Sequence, residues 1–135
     1  MSIAFSAALQ TAIYQALVAD VDLNAAVSGN IFDAPPTGTP PAIYVSLGLE
    51  DMRDASDKTG SGTRHDFIIS VVSDAAGFLQ AKNVASLIGA VLIDKDLTLA
   101  TGTLSFLHFL RATAKRANAG QIHQIDLRFR ARISA

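Results

Sequence analysis

The chain has 135 residues, half of them hydrophobic, with a mean hydropathy of +0.32 and a formal net charge of −1. A chain of this size hides roughly two-thirds of its unfolded surface, which suits a single domain over residues 1–135 with a real core. The absence of cysteine excludes disulfides, thiolate catalysis and cysteine-held metal and permits an intracellular origin, and no apolar run reaches the length that spans a bilayer.

In chain order, MSIAFSAALQTAIYQALVA comes first. Its ALVA resembles a signal cleavage site, but no Lys or Arg precedes the apolar part, and Gln10, Thr11 and Gln15 interrupt it. An amphipathic helix over 2–19 is the better reading, with Ser2 as N-cap and Phe5, Leu9, Ala12, Ile13, Ala16 and Leu17 on one face. A short helical piece at Leu23–Val27 follows and stops at Gly29. Pro35, Pro36, Pro40 and Pro41 cannot donate ladder hydrogen bonds, so NIFDAPPTGTPP reads as an ordered loop and not a strand. Alternation of Ile43, Val45 and Leu47 with Tyr44 and Ser46 predicts a strand over 42–48. EDMRDASDKTGSGTRH, 50–65, has charges of both signs and a Gly-rich end, and reads as a long loop before a second strand at 64–73. Ser73 or Asp74 is placed to cap a helix over 74–93 with a stripe of Ala81, Val84, Ala85, Ile88, Val91 and Leu92. Gly89 weakens that helix unless close packing needs a small residue there. DKD turns the chain, and strands over 103–116 and 121–133 flank an ANAG turn.

The expectation is an α+β fold: two helices on a four-stranded, mainly antiparallel sheet, order α-β-β-α-β-β, with a long loop between the first two strands. In the last strand Ile125, Leu127, Phe129, Ala131 and Ile133 alternate strictly with Asp126, Arg128, Arg130 and Arg132, so one face is core and the other basic. In the third, Leu104, Phe106, Leu110 and Ala112 are assigned to one face, and Leu107 and Phe109 to the other, ahead of Arg111, Thr113 and Lys115. Ile68 and Val72 oppose Phe67, Ile69 and Val71, so the middle of the sheet is apolar on both sides. If the helices share one face, the second face needs a partner; if they take one face each, it does not.

The charge is unevenly spread. Residues 1–100 hold eleven of the twelve acids and five of the eleven bases, whereas 101–135 hold six bases and only Asp126. Opposite halves suggest an interaction surface. No site chemistry accompanies them: His65, His108 and His123 form no ligand spacing, no serine sits in a G-x-S-x-G elbow, and GSGT lacks the Lys of a phosphate loop. Asp51, Asp54 and Asp57 lack the remaining positions of a calcium loop. The basic face, counted as Arg111, Lys115, Arg116, Arg128, Arg130 and Arg132, has no interleaved aromatics apart from Phe109, which argues against a stacking platform for nucleic acid.

ALQTAIYQALVAD, GNIFDAPP, PPAIYVSLG, DASDKTGSG, SVVSDAAGF and IDLRFRARI together resemble the tail terminator (head–tail completion) proteins of long-tailed phages. The resemblance is strongest to the version in gene transfer agents, which are phage-like particles. It implies a structural subunit without enzymatic activity, cofactor, metal or membrane contact. Such subunits form a hexameric ring on the head-proximal end of the tail tube. They stop tube polymerisation and meet the head–tail connector (stopper), and DNA only passes through the channel. The expected subunit and tail contacts are Asp51, Arg53, Asp54, Asp57, Lys58, Arg64, Arg111, Lys115, Arg128, Arg130 and Arg132. Alternatives are a neighbouring head–tail adaptor or a tail tube protein, or a nucleic-acid-binding domain using the basic face.

Overall fold

The computed structural model describes residues 3–58, 60–93 and 96–135. It is a mixed α+β fold with three helices and a five-stranded sheet. The elements are α1 (Ile3–Ala19), α2 (Val21–Val27), β1 (Ile31–Phe32), β2 (Ile43–Asp54), β3 (Gly62–Ser73), α3 (Leu79–Leu92), β4 (Thr103–Ala117) and β5 (Ile122–Ser134). The sheet order is β1-β2-β3-β5-β4, antiparallel except for β1 beside β2.

All three helices share one face. Phe5, Leu9, Ile13 and Leu17 of α1, Leu23 and Val27 of α2, and Ala81, Val84, Ile88 and Leu92 of α3 join one core with the inward side chains of the strands. Leu17, Leu23, Ile69, Ile88, Phe129 and Ile133 are wholly buried there. Phe129 stacks on Phe67 at 5.6 Å and meets the edge of Phe109 at 5.7 Å. Among the described residues no element covers the opposite sheet face, so the helices share one face rather than taking one each.

Several expectations change. The sheet has five strands rather than four, because Ile31 and Phe32 pair in parallel with Val45 and Ser46 just ahead of the proline segment. The short piece after Asp20 is a true helix, capped by the Asp20 carboxylate accepting from Leu23 N at 2.9 Å. The long loop is mostly strand: β2 continues to Asp54 and β3 begins at Gly62, leaving 55–61 as the tip. β3 is paired with β5 as far as Gly62↔Ser134, so both strands of this hairpin belong to the sheet and no free arm extends from it. The tip is closed by Ala55 N donating to Gly62 O at 2.8 Å and Asp57 N to Gly60 O at 2.9 Å.

Helix α3 begins at Leu79, later than expected. The Ser73 hydroxyl accepts from Ala75 N and donates to Gln80, organising the approach to the helix without capping it. The Ser2 cap, Thr59, and the first two residues of the DKD turn lie outside the described residues.

Strand β4 carries two bulges, between Leu104 and Phe106 and between Phe109 and Arg111. Each inserts a residue and resets the alternation. Leu104, Leu107, Phe109 and Ala112 therefore oppose the inward Ile133, Ala131, Phe129 and Leu127. Phe106 and His108 instead join the outer face, opposite Arg132 and Arg130. The expected grouping of Leu104 with Phe106 and of Leu107 with the basic residues is thus reversed.

Candidate interaction surface

The outer sheet face gathers most of the predicted contact residues. Across β2, β3, β5 and β4 the register places Arg53 beside Arg64 and Arg132, and Asp51 beside Asp66 and Arg130. Arg128 lies opposite both Ile68 and Arg111. Lys115 and Asp126 complete the patch with an ion pair at 3.2 Å. The Arg130 guanidinium grips Asp66 with two bonds of 2.8 and 3.0 Å. That hydrogen bond holds the Asp66 carboxyl below the ordinary carboxylate range, against the cost of its burial, with help from the charges of Arg130, Arg64 and Arg128. Burial works against the Asp126 charge, but bonds from Gln124, Ser70 and Lys115 hold its pKa low.

Arg64, Arg111 and Arg128 form no ion pair among the described residues, so the face carries positive charge that its own acids leave unbalanced. The bulges add an aromatic pair: Phe106 and His108 stack at 4.3 Å, 15° from parallel. Aromatic side chains therefore do lie among the bases, contrary to the expectation. Arg116 leaves the group, since it opposes the buried His123 on the helix side and its guanidinium sits 5.4 Å over the Phe78 ring.

The remaining predicted residues are elsewhere. Asp54 opposes Thr63 on the helix side and accepts from the Ser56 hydroxyl at 2.6 Å. Asp57 and the exposed Lys58 stand on the hairpin tip, with Arg132 Nη2 3.8 Å from the Asp57 carboxylate. Asp51 pairs with Arg53 at 3.3 Å in the exposed half of β2.

A buried polar network beneath this hairpin had no counterpart in the expectations. Glu50 accepts from the Ser6 hydroxyl of α1 at 2.6 Å and from His65 Nδ1 at 2.7 Å. His65 Nε2 lies 2.8 Å from the Thr63 hydroxyl. Hydroxyl, imidazole and carboxylate follow the order of a nucleophile–base–acid triad. Thr63 is only 5% exposed and His65 not at all, so no substrate reaches the hydroxyl and the network acts as a fastener between α1 and the hairpin. Burial raises the cost of the Glu50 charge, but the bonds from His65 and Ser6 outweigh it and hold its pKa below the ordinary value. No group of three or more His, Cys, Asp or Glu among the described residues is placed to hold a metal ion, and no described helix is long and apolar enough to cross a membrane.

Among the described residues, then, the chief features are an uncovered, charged sheet face and a buried fastener beneath the hairpin. The family model for tail completion protein gp17 matches residues 11–134, and the chain belongs to that family. One solved structure, titled "Virion of native gene transfer agent (GTA) particle", contains a chain 50% identical to this one. The match covers 99% of this chain and 100% of that one, with a TM-score of 0.92. A second solved protein, 17% identical over 98% of this chain and 96% of its own, shares the fold with a TM-score of 0.57. No curated protein matches.

Proposed function

We propose that residues 1–135 act as one structural subunit of a phage-like, gene-transfer-agent particle. Copies form a ring, hexameric by the resemblance, at the head-proximal end of the tail. The ring ends tube polymerisation, seats against the head–tail connector and lets DNA pass without acting on it. The observation that carries this reading is end-to-end likeness, at 50% identity, to a chain of a gene transfer agent virion. Membership of the tail completion family supports the position at the tail end. The uncovered basic–aromatic face supplies a surface for the tail tube or connector, and no catalytic or cofactor role is assigned to it. The test is to delete the gene in a producing cell and image the particles. Heads separated from tubes of uncontrolled length are expected; normal joined particles would overturn the role.

The Phe106–His108 stack among Arg128, Arg130 and Arg132 favours one second reading, direct contact with DNA. That reading requires salt-dependent DNA binding by the purified protein, weakened by Arg128→Ala.

A further inference from the structure

The outer sheet face holds charge that the chain itself does not match. β2 gives it Asp51 and Arg53, and β3 gives Arg64 and Asp66. β5 gives Asp126 with Arg128, Arg130 and Arg132, and β4 adds Arg111 and Lys115. Seven bases thus stand with three acids, a net +4 on a chain whose total is −1. Each acid already has its base: Asp51 has Arg53 at 3.3 Å, Asp126 has Lys115 at 3.2 Å, and Asp66 has the two Arg130 bonds. Arg132 lies 3.8 Å from Asp57 of the hairpin tip. Arg64, Arg111 and Arg128 remain, with no ion pair among the described residues.

Arg111 and Arg128 stand directly opposite each other across β4 and β5. Like charges so placed repel and weaken the sheet, and Arg64 likewise lies in one row between Arg53 and Arg132. No acid among the described residues pairs with these three, so an anion from outside the chain is the group that relieves them.

Two kinds of anion fit the bases, and the rest of the face favours one. A duplex carries a phosphate charge about every 1.7 Å along its axis. Laid here it would run over Asp51, Asp66 and Asp126 as well as the arginines. Asp66, bonded by Arg130, and Asp126, despite its burial, both have carboxyls held below the ordinary range and stay ionised. A protein surface sets single carboxylates against the three unmatched arginines and leaves the existing pairs alone. Composition agrees. Six of the seven bases are arginine, and the stacked Phe106 and His108 lie opposite Arg132 and Arg130. Arginine and aromatic side chains are enriched in protein interfaces and lysine is depleted. A second copy in the same pose does not fit, because two such faces would set +4 against +4.

We infer that the outer sheet face docks on an acidic surface of another protein, whose carboxylates are gripped by Arg64 and by the Arg111–Arg128 pair. Resting on the tail-end role proposed above, this contact joins the ring to whichever neighbour, tube or connector, carries the acids. Two adjacent guanidinium groups hold one carboxylate from both sides, which fixes register as well as strength.

The test places a photoreactive p-benzoylphenylalanine at position 106, and separately at the exposed position 108, of the full chain in a producing cell that lacks the native gene. The second position serves if the first variant does not fold. After irradiation of purified particles, the expected adduct is nuclease-resistant and maps to a peptide of another particle protein that contains Asp or Glu. Arg128→Glu, checked for folding by circular dichroism, should then cut the yield of joined particles by roughly tenfold or more. Reversing the mapped acid to Arg should restore it. A nuclease-sensitive adduct, an adduct to a second copy, a mapped peptide without acids, no adduct from either position, or no rescue by the reversal would each overturn the docking. An acidic partner away from the tail end would keep the docking and remove the tail role, while joined particles in the deletion strain would remove the tail role alone.

Discussion

Replacing Glu50 with Ala tests whether the buried network fastens α1 to the hairpin. The substitution removes the acceptor of His65 Nδ1, on a ring with no solvent exposure, and of the Ser6 hydroxyl. A buried donor left without an acceptor costs about 1–3 kcal/mol, and the lost Ser6 bond to a carboxylate adds about 1 kcal/mol or more. A total near 3 kcal/mol lowers the melting temperature of a chain this size by roughly 9–15 °C. Glu50→Gln keeps an acceptor and should cost about 1 kcal/mol. The pH dependence has a definite sign. The folded-state pKa of Glu50 lies below its ordinary value of 4.5, so its contribution is complete above that pH and fades as pH falls through the folded value. The penalty of Glu50→Ala therefore shrinks on acidification. Urea unfolding followed by circular dichroism, at neutral pH and below pH 4.5, measures both effects. A loss under about 1 kcal/mol at neutral pH, or a penalty that grows in acid, would refute the fastener.

Other outcomes follow from the same geometry. Gly102 and Gly120 both have left-handed φ, +81 and +86, but a Cβ at 102 would sit 2.8 Å from Ile133 and 2.9 Å from Phe5, whereas one at 120 meets nothing within 4 Å. Both alanine variants carry backbone strain of about 1–2 kcal/mol, and Gly102→Ala adds about 1–3 kcal/mol of overpacking; equal melting temperatures would contradict this packing. Asp66→Asn removes a carboxylate whose folded pKa lies below its ordinary 3.8, so acid titration of stability should be flatter in the variant than in the parent; identical acid limbs would count against the Arg130 bond. Replacing the hairpin tip, 56–60, by Asn-Gly should leave far-ultraviolet dichroism unchanged and impair head–tail joining in particles, and normal joining would remove the tip from the contact.

What could be read from the sequence depended on how local the cause was. Strand β5 was legible because its alternation is unbroken and one face is wholly buried, and α1 because its apolar residues recur at helical spacing. The β4 faces were not, because two bulges reset the period and no residue type marks them, so Phe106 and His108 moved in among the arginines. Strand β1 is two residues long and exists through parallel pairing to Val45 and Ser46, more than ten positions away. The hairpin resembled a loop because its charges looked like solvated ones. In the sheet Glu50 turns inward to His65, while Asp51 and Arg53 pair outside. The bulge at Leu49 hides that alternation from a reading by twos. Of the predicted contact residues, those on β5 and Arg111 and Lys115 of β4 do share one face. Asp54 does not, since one position along a strand is a change of side.

The most direct test of the ring at the tail end is a reconstruction of the particle neck at a resolution that traces chains. The proposed function predicts one closed ring of this fold between the last ring of the tail tube and the head connector. Copies stacked along the tube, copies at the adaptor position against the head, or a neck without this chain would contradict it.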